Sequence, residues 1–382
     1  MKKRLLLCLL LIVSCSLILP GLDFGLTLDQ IVTYSGFNDD MSFIDKGILI
    51  PWASGLLGET GEFIVSLGLN YQSDPLAAVP ELLLTNLSWR MGPADFGLGR
   101  MAYSDPLGYI ANGLFDGARL SFDTPAGLLS AGAWYSGLIY KRRANIEMTD
   151  RELALNSASI NFDDLANTYF APRRVLAALD WEHPGLAGRV LANLSLLGQF
   201  DLGDEDLNSQ YLVGKLIIPA GAFAFELGGA FELIQQSGDM ETAFAAEMGL
   251  AWKGASQGLH LMGRYASAES DSMAAFLPVT TNTHGNVLET KLSGISVISL
   301  DYTARLHRTM ALGFLPSYFI YTASDQDERL LGAEIFGALY WSPVSDISIN
   351  LGGGAFLPSL GNVAPNGDLL WKIEMNVIIS IF

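Results

Sequence analysis

Residues 223–234 read FAFELGGAFELI. Phe223, Phe225, Leu227, Phe231 and Leu233 occupy every second position, and Glu226 and Glu232 fall in the alternate phase. Successive side chains of a strand point to opposite faces, so this segment is a strand with one oily side and one wet side. The same rhythm recurs along the chain and continues to its last residues, Leu370–Phe382. Many such strands predict an all-β fold: a single antiparallel up-and-down barrel, with hydrocarbon outside and water inside.

Composition supports that expectation. The 382 residues are 50% hydrophobic and 16% charged, with a mean hydropathy of +0.32. Past the first 21 residues no apolar run approaches the about 20 residues that a membrane helix needs. Lipid-facing strands explain high apolarity without such a run, because each contributes only alternate residues.

Lys2, Lys3 and Arg4, then the apolar Leu5–Val13 and the small residues of Ser14–Gly21, have the layout of a secretory leader. The predicted organisation is a signal peptide over 1–21 and one barrel domain over 22–382. Cys8 and Cys15 both precede the expected cut, which leaves no thiol in the mature chain. The alternative is a lipoprotein site at Ile12-Val13-Ser14-Cys15 with Cys15 lipidated. The apolar residues Leu17–Leu19 beyond the cysteine favour the first reading.

The formal charge is −18. Nucleic acid needs a basic surface, so it is excluded as a partner. Acidic residues cluster between strands, at Asp39 and Asp40, Asp201 to Asp206, and Asp325 to Glu328. They are expected as solvated loops.

Period-two segments divide the chain into about 18 strands, or 16 if the second and third are misread. Among the predicted spans are 127–140, 187–201 and 291–305. Connections after even strands are short and rich in Gly and Pro, whereas those after odd strands are longer. Barrels with both ends in the periplasm show this parity. Trp52, Trp89, Trp181, Trp252 and Trp341 lie near the short-turn ends. They predict an aromatic girdle at the periplasmic headgroup level, with Trp371 near the opposite interface.

The wet face carries the candidate lumen-lining charges. The basic ones are Arg90, Arg119, Arg189, Lys215, Lys253, Arg264, Arg305 and Lys372. The acidic ones are Asp180, Glu226, Glu232, Glu247, Asp301, Glu334 and Glu374. Neighbouring staves bring opposite signs together, so they can neutralise each other as well as select solutes. The long connection Lys141–Pro172 begins Lys141-Arg142-Arg143 and includes Arg151. It either enters the lumen as a constriction or covers the mouth.

No catalytic, nucleotide or metal motif accompanies the histidines. His183 and His307 fall at predicted turns, His260 in the lumen phase and His284 in an outer loop. The expectation is a non-enzyme without cofactor or metal.

One stretch carries a family resemblance. Gly99-Arg100-Met101-Ala102-Tyr103, Gly108-Tyr109-Ile110-Ala111-Asn112 and Phe115-Asp116-Gly117-Ala118-Arg119-Leu120 resemble a strand–loop–strand unit of bacterial outer-membrane porins, closest to the alginate-export-like group. That resemblance implies a monomeric channel for anionic polysaccharide with an Arg-rich constriction. Only Arg100 and Arg119 fall in the matching stretch, and the several inward acids depart from such a site, so the polysaccharide is not carried over. The last strand also departs from the outer-membrane pattern. Phe382 is in phase with Ser380, Ile378 and Asn376, not with the apolar Trp371, Ile373 and Met375.

The expected function is an outer-membrane channel for passive diffusion of small hydrophilic solutes. Its partners would be the bilayer and those solutes, with monomer and trimer both open. The alternatives are a transporter of fatty-acid-type ligands and a surface adhesin or structural barrel with a closed lumen.

Overall fold

The computed structural model describes residues 21–37, 40–73, 76–203, 205–323 and 327–382. The predicted leader with Cys8 and Cys15, and the acidic residues Asp39, Asp204 and Asp325, lie outside the described residues.

Among the described residues, eighteen strands form one antiparallel sheet. They are β1 (Leu22–Phe37), β2 (Asp40–Leu57), β3 (Gly61–Ser73), β4 (Leu76–Met91), β5 (Ala94–Ser104) and β6 (Asn112–Thr124). Then come β7 (Gly127–Tyr135), β8 (Arg174–Leu186), β9 (Val190–Asp201), β10 (Leu207–Ala220), β11 (Phe223–Gln236) and β12 (Asp239–Lys253). The last six are β13 (Gln257–Ala266), β14 (Ile295–His307), β15 (Met310–Tyr321), β16 (Leu330–Val344), β17 (Ile347–Leu357) and β18 (Leu370–Ile381). Each pairs with its sequence neighbours, and β18 returns to β1 from Leu26↔Ile381 to Phe37↔Leu370. Closure leaves no unpaired edge, which hydrocarbon would penalise.

The short-turn end is as expected from sequence, but the other end is mixed, because β1–β2, β3–β4 and β11–β12 are joined by only two residues each. Connections after even strands are at most three residues long. Gly92 (φ +62°) and Gly221 (φ +67°) take left-handed turn positions there, where a side chain would be strained.

The two faces separate as the alternation predicts. Phe225, Leu227 and Phe231 are exposed on one side of β11. On the other side Glu232 is buried under the segment that follows β13. Glu81 on β4, Glu334 on β16 and Lys372 on β18 also bond connecting segments. Wall residues on strands this far apart reach those segments only by pointing inward. Arginine placed on the outer face is expected to cost about 2–4 kcal/mol at mid-bilayer and about 0–1 kcal/mol near an interface. Leu261→Arg, in the middle of β13, should therefore lower stability in denaturant titrations of the vesicle-folded barrel far more than Gln257→Arg at its end.

Register corrects the girdle. Trp89, Trp181, Trp252 and Trp341 stand in the outward phase. Trp52 pairs with Gly25 and Ser66, in the phase of Asp29 and Asn70, so it faces inward. Its ring lies 6.0 Å from that of Phe382. The inward phase of the terminal aromatic is thus matched by an inward tryptophan two strands away. At the other rim Trp371 packs edge-on against Tyr34 at 5.0 Å.

Two predicted spans are shortened. β7 stops at Tyr135, not 140, and β14 starts at Ile295, because the flanking residues turn into the lumen. Arg189 is not on a strand: it lies in the β8–β9 turn, where its N–H bonds Leu186 O. That turn uses two left-handed residues, Ala187 and Gly188, so β9 begins only at Val190.

Candidate pore constriction

Three connections leave the same end of the barrel and fold inward. Their buried apolar residues, among them Tyr109, Ile110, Ile139, Ile146, Phe276 and Leu292, pack with wall residues such as Phe115, Trp134, Val297 and Phe319 into one cluster. A barrel with 16–18 strands is too wide for wall side chains to fill. The main chain itself supplies the filling.

Residues 105–111 make a knob around Asp105. Its carboxylate accepts the N–H groups of Leu107 and Gly108 on one oxygen and of Ile110 and Ala111 on the other, at 2.8–3.0 Å. Several charge-assisted bonds offset the burial of the charge. The knob presses Leu107 onto β11, where a Cβ on Gly228 would sit 2.5 Å from Leu107 Cδ2.

Residues 136–173 contain three short helices, α1 (Lys141–Ala144), α2 (Asp150–Ser157) and α3 (Leu165–Thr168). Thr149 and Glu152 form a capping box at the start of α2, which satisfies orphan N–H donors at both positions. The other oxygen of Glu152 meets Arg174 Nη2 at 2.7 Å. Arg174 is fully buried, and its Nη1 also donates to Gln199 Oε1 and Leu207 O. On the far wall, Arg143 pairs with Glu81 at 2.6 Å and Arg142 bonds Gln72 at 3.2 Å. The segment spans the lumen from β8–β10 to β3–β4.

Residues 267–294 cross in another direction. Leu277 N donates to Glu232 at 2.9 Å, and the N–H groups of Asn286, Val287 and Leu288 surround Glu334. Glu289 reaches Lys372 at 2.6 Å. The segments also bond each other, through Thr280 N to Ile110 O, Thr281 N to Asn145 O, and Lys291 to Glu147.

The predicted lumen charges mostly occupy the inner face, and several neutralise each other. Lys215 lies 2.9 Å from Glu247 and 3.5 Å from Glu226, and Arg264 is 3.5 Å from Glu247. His260 Nε2 approaches Glu226 at 3.3 Å. Asp180 accepts from Ser195 and Tyr103. Lys372 bridges Glu289 and Glu374. Arg119 donates to Ser130. Near the short-turn end, Lys253, Asp301 and Arg305 line one cavity with His260, and Arg90 pairs with Asp95 at the β4–β5 hairpin.

Four of the long-segment expectations separate. Arg142 and Arg143 lie in the lumen. Lys141 does not line it: it is buried, with Nζ donating to Ala158 O. Arg151 sits near Glu205 with its side chain 65% exposed, so it does not line the constriction. His284 is not in an outer loop. It lies within the crossing segment, edge-on to Tyr109 at 6.0 Å, and burial pushes its imidazole down to about 4. Arg100 is buried in an ion pair with Asp116 at 2.6 Å.

A groove remains between α1 and the β1–β4 wall. Asp29, Lys46, Asn70, Gln72, Tyr140 and Arg142 line it. Sequence reasoning missed Lys46, along with Glu81, Asp105, Glu152 and Arg174. The Thr149-Asp-Arg-Glu152 box was a readable signal for Glu152. Glu81 was hidden because the β3–β4 register slips between Ser66 and Leu67, shifting the phase along β4.

No family model and no curated protein matches the chain. Solved structures do. OpdL of Pseudomonas aeruginosa has a TM-score of 0.65 at 12% identity, covering 95% of this chain and 99% of that one. OccK2 (OpdF) of the same organism, in complex with glucuronate, has a TM-score of 0.65 at 12% identity over 94% and 98% of the two chains. OpdK with vanillate has a TM-score of 0.63 at 11% identity, with coverage of 94% and 98%. The likeness is one of fold: the 18-stranded antiparallel barrel of this chain matches over nearly all of both chains.

Proposed function

We propose that this chain is a passive outer-membrane channel for small hydrophilic solutes, with a preference for those carrying a carboxylate. The observation that carries the proposal is the inward course of 136–173, which brings Arg142 to the lumen groove that Lys46 also lines. Two cations in a confined wet passage attract an anion more strongly than they would in bulk water. Glucuronate and vanillate, seen with two proteins of this fold, are both carboxylates of suitable size. The outward apolar belt supports a membrane setting, and the inward wall charges support a wet interior. Polysaccharide transport of the alginate-export kind fits less well, because Arg100 is consumed by Asp116 and the passage is crossed by folded segments. The proposal assigns no reaction to any residue.

Planar-bilayer recording tests it. The folded chain is expected to conduct, and Lys46→Glu with Arg142→Glu should shift the reversal potential in a salt gradient toward cation preference. A folded chain that never conducts, even after deletion of 141–172, would remove the channel reading.

A further inference from the structure

The crossing segment 276–289 is held by acids, not by apolar packing alone. Glu334 is completely buried, and three consecutive backbone N–H groups donate to it: Asn286 at 2.5 Å, Val287 at 3.0 Å and Leu288 at 2.9 Å. Gly285 permits this approach. It has φ +87°, and a Cβ there would lie 2.8 Å from Glu334 Oε2. At the other end Glu232, also completely buried, accepts Leu277 N–H. Three N–H groups on the Glu334 carboxylate make charge-assisted bonds, each about twice as strong as a neutral one.

What the segment covers is unsatisfied. Tyr109 is 3% exposed, yet among the described residues its hydroxyl has no hydrogen-bond partner, and neither has His284 Nε2 beside it. Buried polar groups without partners favour any arrangement that readmits water or a polar solute. Two opposed tendencies therefore meet in one segment: carboxylate anchors that hold it across the lumen, and an orphaned polar atom on either side of its contact with Tyr109 that gains from its leaving.

We propose that residues 276–289 form a gate latched on Glu334, with Glu232 as the second anchor, and that its release uncovers Tyr109 to the lumen. Glu334 is a positioning residue in this device. The inference rests on the channel reading for its purpose, but its geometry can be tested separately.

The test is thiol labelling by a small charged reagent on the vesicle-folded barrel carrying Tyr109→Cys, with and without Glu334→Gln. Glutamine keeps the shape of the anchor and loses its charge. Labelling is expected to be at least about tenfold faster with E334Q, the equivalent of losing one charge-assisted bond. Glu232→Gln should give a smaller acceleration and serves as the second variant if E334Q does not fold. Bilayer recordings of E334Q without the cysteine should show longer open dwell times. Unchanged labelling in the folded variants would overturn the latch, whatever the conductance. Faster labelling with no conductance in any arm would keep the latch and remove the channel reading.

Discussion

Replacing Arg174 by methionine should destabilise the protein by about 3–5 kcal/mol, the cost of stranding one member of a buried ion pair. Arg174 is 0% exposed, and its partner Glu152 is 5% exposed. Without the guanidinium, Glu152 is stranded in a dry site that has lost its counter-ion. Gln199 Oε1 and Leu207 O lose the same donor. The carboxylate also caps α2 through Met148 N and Thr149 N, so any escape toward water unravels the start of that helix. The loss should appear as a lower denaturation midpoint and as new protease cleavage within 141–172. Arg174→Met with Glu152→Met removes both charges at once. It should recover much of the loss, since a buried pair exchanged for apolar groups is often near neutral. If the single variant matched the wild type in both measurements, the segment would not depend on this anchor.

The cylinder was legible because lipid on one side and water on the other enforce strict alternation, and alternation survives in a single sequence. Glu226, Glu247 and Arg264 sit where their phase puts them. Trp52 shows where that logic stops. An amphipathic ring near a strand end suits either solvent boundary, so position alone could not give its face. The constriction was less legible for a different reason. A connecting segment has no period, and its course depends on contacts such as Arg143 with Glu81, which lie far apart in sequence. Lys141, Arg142 and Arg143 look equivalent as a basic run, yet the turn of α1 sends the first into the segment and the next two toward the wall. Asp105 was overlooked because its partners are backbone N–H groups, which no side-chain pattern records.

Deleting Lys141–Pro172 and joining its flanks by a short turn should raise single-channel conductance several-fold. The segment bridges the lumen between walls that no strand pairing connects, so its removal widens the passage directly. The deletion also withdraws Asn145 from Thr281 and Glu147 from Lys291, two ties that steady the crossing segment. Opening should therefore exceed what the deleted atoms alone account for. The barrel ladder does not need this segment, because β7 and β8 pair from Leu128↔Glu182 to Tyr135↔Val175 without it. Three charges lose a counter-ion with it: the buried Glu81 loses Arg143, the buried Arg174 loses Glu152, and the partly exposed Lys291 loses Glu147. A clean experiment adds Glu81→Gln and Arg174→Gln. With those changes the strand signal should be retained while conductance rises. If conductance stayed at the wild-type value in that folded variant, the narrowest part of the passage would lie elsewhere, and the 267–294 crossing would be the first place to look.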